Sequence, residues 1–429
     1  MSPPDLLALH QYKPDDYPYL LASNTSGAVN TRYSILMAYP QQTIVQNPGD
    51  EDCLSTIHTP LTSNPEPKEY PFIGGWFVFL SYEYASIVEP SVNFHIGKSS
   101  LPLAFISRIP AAVIIDHQLH QGIVVASSER EDLIQQILCD IESAPAFEKK
   151  ILPACEIDEE DPAVYLKNLE QIHQYIKNGD VFQANLSRLW SAKFERNCDP
   201  VSLYANLRHS NPAPFASLVK FKDQYIISSS PERLVSVCDG TVDTRPIAGT
   251  YPRGKTAEED KQLSDSLLNH PKERAEHVML IDLERNDLGR ICSPGSIHVK
   301  DKMIVETYTH VHHIVSRVSG QLKDALSTRD VVHAVFPGGT ITGCPKVRCM
   351  QIISELEQTA RGAYTGALGY VSDNGFMDLN ILIRTMAYGD NVIQFRAGAG
   401  IVSDSVSEKE LTETRHKARG MLNALQFNQ

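Results

Sequence analysis

No two of the eight cysteines fall in a CxxC pair; they stand at 53, 139, 155, 198, 238, 292, 344 and 349. That scatter argues against a cysteine zinc site and against a disulfide framework, and it fits a reducing compartment. No apolar run approaches the roughly 20 residues of a membrane span, so no membrane association is expected. The opening residues, MSPPDLLALHQYKPDD, lack the basic region and apolar core of a signal peptide, and a cytoplasmic protein is expected. Positive charge is also short: 39 Lys and Arg against 52 Asp and Glu leave a net charge of -13. Without a clustered basic face, nucleic acid is not an expected partner. An anionic substrate would need local positive charge or a metal.

What is present is ordinary globular composition, 42% hydrophobic and 21% charged over 429 residues. That length suits one composite domain or two intimately packed ones. The first 150 residues read as a β-rich region, with TRYSILMAY, FIGGWFVFLSYEYA and AAVIIDHQLHQGIVVAS carrying β-branched and aromatic runs. After the acidic, proline-containing LPACEIDEEDP, the pattern VYLKNLEQIHQYIKNG has helical spacing and stops at Gly179. From 160 to 425 strands and helices are interspersed. Helices are expected around 272–290, after Pro345 and at 407–425, with strands between them. The absence of a regular βαβ rhythm makes the fold class α+β.

Four acids share helix faces in pairs. Glu273 and Glu276 follow Pro271 at i and i+3, and Glu410 and Glu413 repeat that spacing with Lys417 one turn on. Acids near a helix N-terminus also favour the macrodipole, and Ser407 with Glu410 fits a capping box, so structural roles stay open. If the two helices converge, a hard cation such as Mg2+ relieves the repulsion. FPGGTITGCPKVRCM and RAGAG allow close backbone approach, as anion sites or as plain turns. In YTHVHHIVSRV, His313 shares a strand face with Val311 and Val315, as a core or a functional histidine. His310 and His312 lie opposite, and a metal pair there is the less favoured reading.

PIAGTYPRG, ERAEHVMLIDLERNDLGR, HHIVSRV, GTITGCPKVR, GALGYV, MDLNILIRT, AGAGIVSDS and ETRHKAR occur in the order found in the chorismate-utilising enzymes, and the chain resembles that family densely over 160–425. The resemblance implies an anthranilate synthase component I-like β-sandwich flanked by helices, with chorismate at its centre. It makes Glu276 and Glu413 ligands of Mg2+, with Glu273 and Glu410 supporting through water. Tyr364, Arg384, Lys417 and the backbone of Gly398 and Gly400 become a carboxylate clamp. Thr340 and His313 line the ring, Glu232 in SSSPERL is the general acid, and the turn with Ala248 and Thr250 passes beneath the reacting carbon C2.

Within the family the turn is informative. Enzymes that form 4-amino-4-deoxychorismate commonly carry PIKGT, whereas anthranilate-forming ones carry PIAGT as here. QANLSRLW, NPAPFASL, TGCPKVRCM and MDLNILIRT resemble the first branch more. Formation of 4-amino-4-deoxychorismate, on the route to 4-aminobenzoate and folate, is therefore the expected activity, with anthranilate formation the alternative and a non-catalytic chorismate-binding subunit behind both. No GxCxG elbow with a matched His and Glu is present, so ammonia is expected from a separate glutamine amidotransferase subunit. YLLASNTSG stands where tryptophan-regulated relatives carry an acid, and Ala22 replaces it.

Overall fold

The structure is a computed structural model that describes residues 1–23, 32–62, 69–97, 101–308 and 311–426. The segment from Asn24 within YLLASNTSG and His310 lie outside the described residues.

Two antiparallel sheets, of eleven and ten strands, form the centre. Two long pairings frame the sheets. Gln183–Phe194 runs beside Val392–Ile401, and His298–Thr307 pairs with Val311–Gln321 across a shift between Lys300 and Ile304. Between the sheets lie Tyr19, Ile35, Phe77, Phe105 and Ile226. Tyr19 stacks on Phe77 at 4.1 Å between ring centroids, and Phe105 stacks on Phe221 at 4.2 Å. Each such pair contributes about 0.5–1.5 kcal/mol beyond its burial.

Helices cover the outer faces. Leu6–Tyr12, Asp132–Ser143, Pro200–Ser210 and Ser407–Gln426 share one cluster with the first sheet. Pro271–Gly289 and Thr328–Val335 pack on the second, and Pro162–Lys177 and Lys346–Glu357 close one end. The α+β class is observed, in four layers. Among the described residues no helix is long and apolar enough to cross a membrane.

Both sheets run through the composition change near residue 150. Tyr19–Ala22 pairs with Phe215–Phe221, and Gly75–Leu80 pairs with Ala367–Ser372. The β-rich N-terminal region therefore shares its sheets and core with the region from 160 to 425. It also carries the helices Leu6–Tyr12 and Asp132–Ser143.

Candidate active site

A cavity of about 240 Å³ is lined by Glu232, Thr250, His313, Thr340, Tyr364, Arg384, Gly398 and Lys417. Eight positions singled out in the sequence thus meet from eight segments of chain. Ala248 is not in the lining: it pairs with Ile314 and is buried, while Ile247 and Thr250 face the cavity. The cause is local. Gly249, at φ +64°, marks a register shift in this strand, so cavity-facing residues are three apart rather than two. Gly400 is also outside the lining, because the Gln183 side chain lies over it; a Cβ there would stand 2.2 Å from Gln183 Nε2.

Glu232 sits at the end of Gln224–Ser230 and is buried. Burial pushes its carboxyl up to about 7, against the smaller opposing pulls of Thr340 and Lys417. The Thr340 hydroxyl makes no hydrogen bond of ordinary geometry, although it lies close enough to hold that rise back. Such a carboxyl can carry a proton near neutral pH. His313 shows the converse. Burial lowers it to about 4, and its Nδ1 lies 3.0 Å from Gly249 O and 3.1 Å from Thr250 Oγ1. A carbonyl only accepts, so Nδ1 carries the hydrogen and Nε2 is left as an acceptor. His313 is neutral and fixed in one tautomer by the turn. The other histidine of that strand, His312, is taken by Asp260 at 2.9 Å and Thr307 at 2.9 Å.

The positive side of the cavity is Arg384 and Lys417. Arg384 adopts φ +52°, an uncommon conformation for a bulky residue. Lys417 Nζ donates to Gly398 O at 2.9 Å and pairs with Glu413 at 2.7 Å. It therefore joins the cavity wall to the acids. Beneath the same strand, Glu357 is fully buried between Arg361, at 2.7 Å, and Arg396, at 3.2 Å. The Ser187 amide and hydroxyl both donate to it at 2.9 Å.

The four helix acids lie beside the cavity, outside its lining. Burial raises Glu276 to about 7, and Glu273, Asp404 and Glu410 push in the same direction against Lys272. Burial and Glu413 also raise Glu410, against Ser405; Ser405, rather than Ser407, is the hydroxyl acting on it. Glu413 is pushed up by burial but ends below its usual value, because Lys417, Lys272 and Arg384 together outweigh that push. The two helices thus face each other electrostatically. The turn touches them too: a Cβ on Gly249 would stand 2.8 Å from Glu273 Oε2. Lys272 reaches Asp404 at 3.5 Å and Glu276 at 3.9 Å. Among the described residues no three acid, histidine or cysteine side chains are gathered as a metal cage. The four helix acids, with Lys272 and Lys417 beside them, are oxygen donors of the kind a hard divalent ion takes.

A model of the chorismate-binding enzymes matches residues 17–423. The chain belongs to that family. This chorismate-binding enzyme is 41% identical over 376 residues to aminodeoxychorismate synthase component 1 of Bacillus subtilis, covering 84% of this chain and 79% of that one. It is 40% identical over 405 residues to an anthranilate synthase component I-like protein of Synechocystis sp., covering 92% and 83%. The solved structure of anthranilate synthase component I from Streptococcus pneumoniae superimposes with a TM-score of 0.83 at 36% identity, over 92% of this chain and 93% of that one.

In this chorismate-utilising enzyme the wall residues that escaped the sequence reading include Asn185, Tyr308 and Arg396. Tyr308 packs edge-on to His313 at 5.7 Å and donates to Glu306 at 2.7 Å. Asn185 lies within QANLSRLW and Arg396 begins RAGAG, so each stood inside a quoted stretch without a role. Only the fold shows which way they point. Ala22 lines a separate cavity of about 290 Å³, with Tyr33, Arg233 and Tyr370.

Proposed function

We propose that this chain is 4-amino-4-deoxychorismate synthase component I, which aminates chorismate with ammonia supplied by a glutamine amidotransferase subunit. The observation that carries amination is Glu232: a buried carboxyl near 7, inside a cavity whose other wall is cationic. Protonated Glu232 delivers its proton to the departing C4 hydroxyl, which leaves as water. The entering ammonia forms the new C–N bond and gives up a proton in turn, so the balance is chorismate plus ammonia to 4-amino-4-deoxychorismate plus water. Arg384 and Lys417 hold the substrate carboxylates, Arg384 through its planar fork. Neutral His313 and Thr340 stand against the ring.

Glu276 and Glu413 would hold Mg2+ directly, and Glu273 and Glu410 would support it through water, as the family resemblance implies. When bound, it neutralises these acids and binds the ring carboxylate of the dianion. The second reading, anthranilate formation, rests on Ala248. Lys417 is the single lysine in the cavity lining among the described residues, so the turn offers no amine to occupy C2. The motifs QANLSRLW and MDLNILIRT favour the first branch.

The test is product identity. The purified chain with chorismate, Mg2+ and ammonium salt at high pH, followed by aminodeoxychorismate lyase, is expected to give 4-aminobenzoate as the major aromatic. Anthranilate formed without lyase as the dominant product would overturn the branch. Glutamine is expected to replace ammonium only after an amidotransferase subunit is added.

A further inference from the structure

Asn185 is 8% exposed, and its backbone is fully used: its N–H donates to Thr342 O at 2.9 Å, and its carbonyl accepts from Arg361 at 2.8 Å. Its side-chain Oδ1 is different. That atom is buried, lines the cavity and has no hydrogen-bond partner. It lies over Gly398, where a Cβ would stand 2.9 Å from Asn185 Oδ1 and 2.7 Å from the Tyr364 hydroxyl. The missing side chain of Gly398 thus leaves a niche on which two polar groups converge. An unpaired buried acceptor costs about 1–3 kcal/mol, and here, unlike unpartnered polar atoms within the core such as Ser217 Oγ, it faces a cavity that a ligand can enter.

We propose that Asn185 is a substrate-contacting residue whose amide oxygen accepts a hydrogen bond from a donor group of the reacting pair. The inference rests on the chorismate-amination reading above. A carboxylate offers no hydrogen, so the group recognised is either a ring hydroxyl of chorismate or an N–H of ammonia. Both are X–H donors of similar reach.

The experiment uses the full chain with Asn185→Leu, which matches the side chain in size and removes the acceptor. Steady-state kinetics are run with chorismate varied at saturating ammonium, then the reverse, and thermal melting is recorded. The expected result is a KM about tenfold higher for one substrate, with an unchanged or higher melting temperature, because no protein partner is orphaned. A rise for chorismate assigns the hydroxyl, and a rise for ammonium assigns ammonia. Asn185→Ala, which cannot overfill the niche, decides if the leucine variant does not fold. Unchanged KM for both substrates, or a melting temperature lowered by several degrees in both variants, overturns the proposal. Failure of the unaltered chain to bind or turn over chorismate would instead sink the amination reading.

Discussion

Glu232 and Glu413 carry the same carboxyl group and are displaced in opposite directions. Burial raises the first to about 7, whereas Lys417, Lys272 and Arg384 together take the second below its usual value in spite of burial. A general acid works protonated, so kcat at saturating ammonia is expected to fall as pH rises through about 7. Glu232→Gln should remove that limb and lower kcat about a hundred- to ten-thousand-fold, with chorismate affinity kept. Stopped assays across pH together with equilibrium binding check both halves; a variant that keeps half the rate assigns the proton to another group. Glu357 makes a contrasting case. Its neutralisation would leave Arg361 and Arg396 buried without a counter-charge, so Glu357→Gln should cost about 3–5 kcal/mol, read as a lower denaturation midpoint.

At the level of elements, the site depends on strands and helices that approach without side chains between them. Gly398→Ala places a methyl 2.7 Å from both Leu186 O and the Tyr364 hydroxyl. That variant is expected to lose chorismate binding, whereas Gly289→Ala, where a Cβ meets nothing within 4 Å on a helix, should keep it. Calorimetric titration with chorismate separates the two. The facing acid helices give another expectation: Mg2+ at about 100 times its Kd should stabilise the chain by about 2.7 kcal/mol, and Glu276→Ala should abolish that gain in a melting experiment without substrate. These helices were legible in the sequence because their signals are local. Pro271 starts one, expected around 272–290 and observed as Pro271–Gly289, and the last helix, expected at 407–425, runs Ser407–Gln426. The helix Ala257–Asn269 was not legible, since AEEDKQLSDSLLN is mostly charged and polar and buries only Leu267. Strand partners were beyond reach for a different reason. Whether Ala248 or Thr250 faces the cavity turns on one register shift, and nothing within PIAGT states which strand it will pair with.

At the scale of the whole molecule, the two sheets around the cavity draw strands from both ends of the chain. A fragment beginning near residue 160 would lose the partners of Phe215–Phe221 and Ala367–Ser372 and expose Phe221. It is expected to be insoluble or to lack a cooperative melt, while the full chain unfolds in one transition; scanning calorimetry of both distinguishes them. The same pairing has a consequence during synthesis. Gly75–Leu80 meets a strand that begins at Ala367, so on a ribosome elongating at about 5–20 residues per second the first waits roughly 15–60 s for the second. For that interval Phe77 and Phe79 belong to a nascent chain with an uncovered β-edge. Long-range pairing of this kind therefore sets a waiting time during synthesis in which one edge of Gly75–Leu80 is open to other chains.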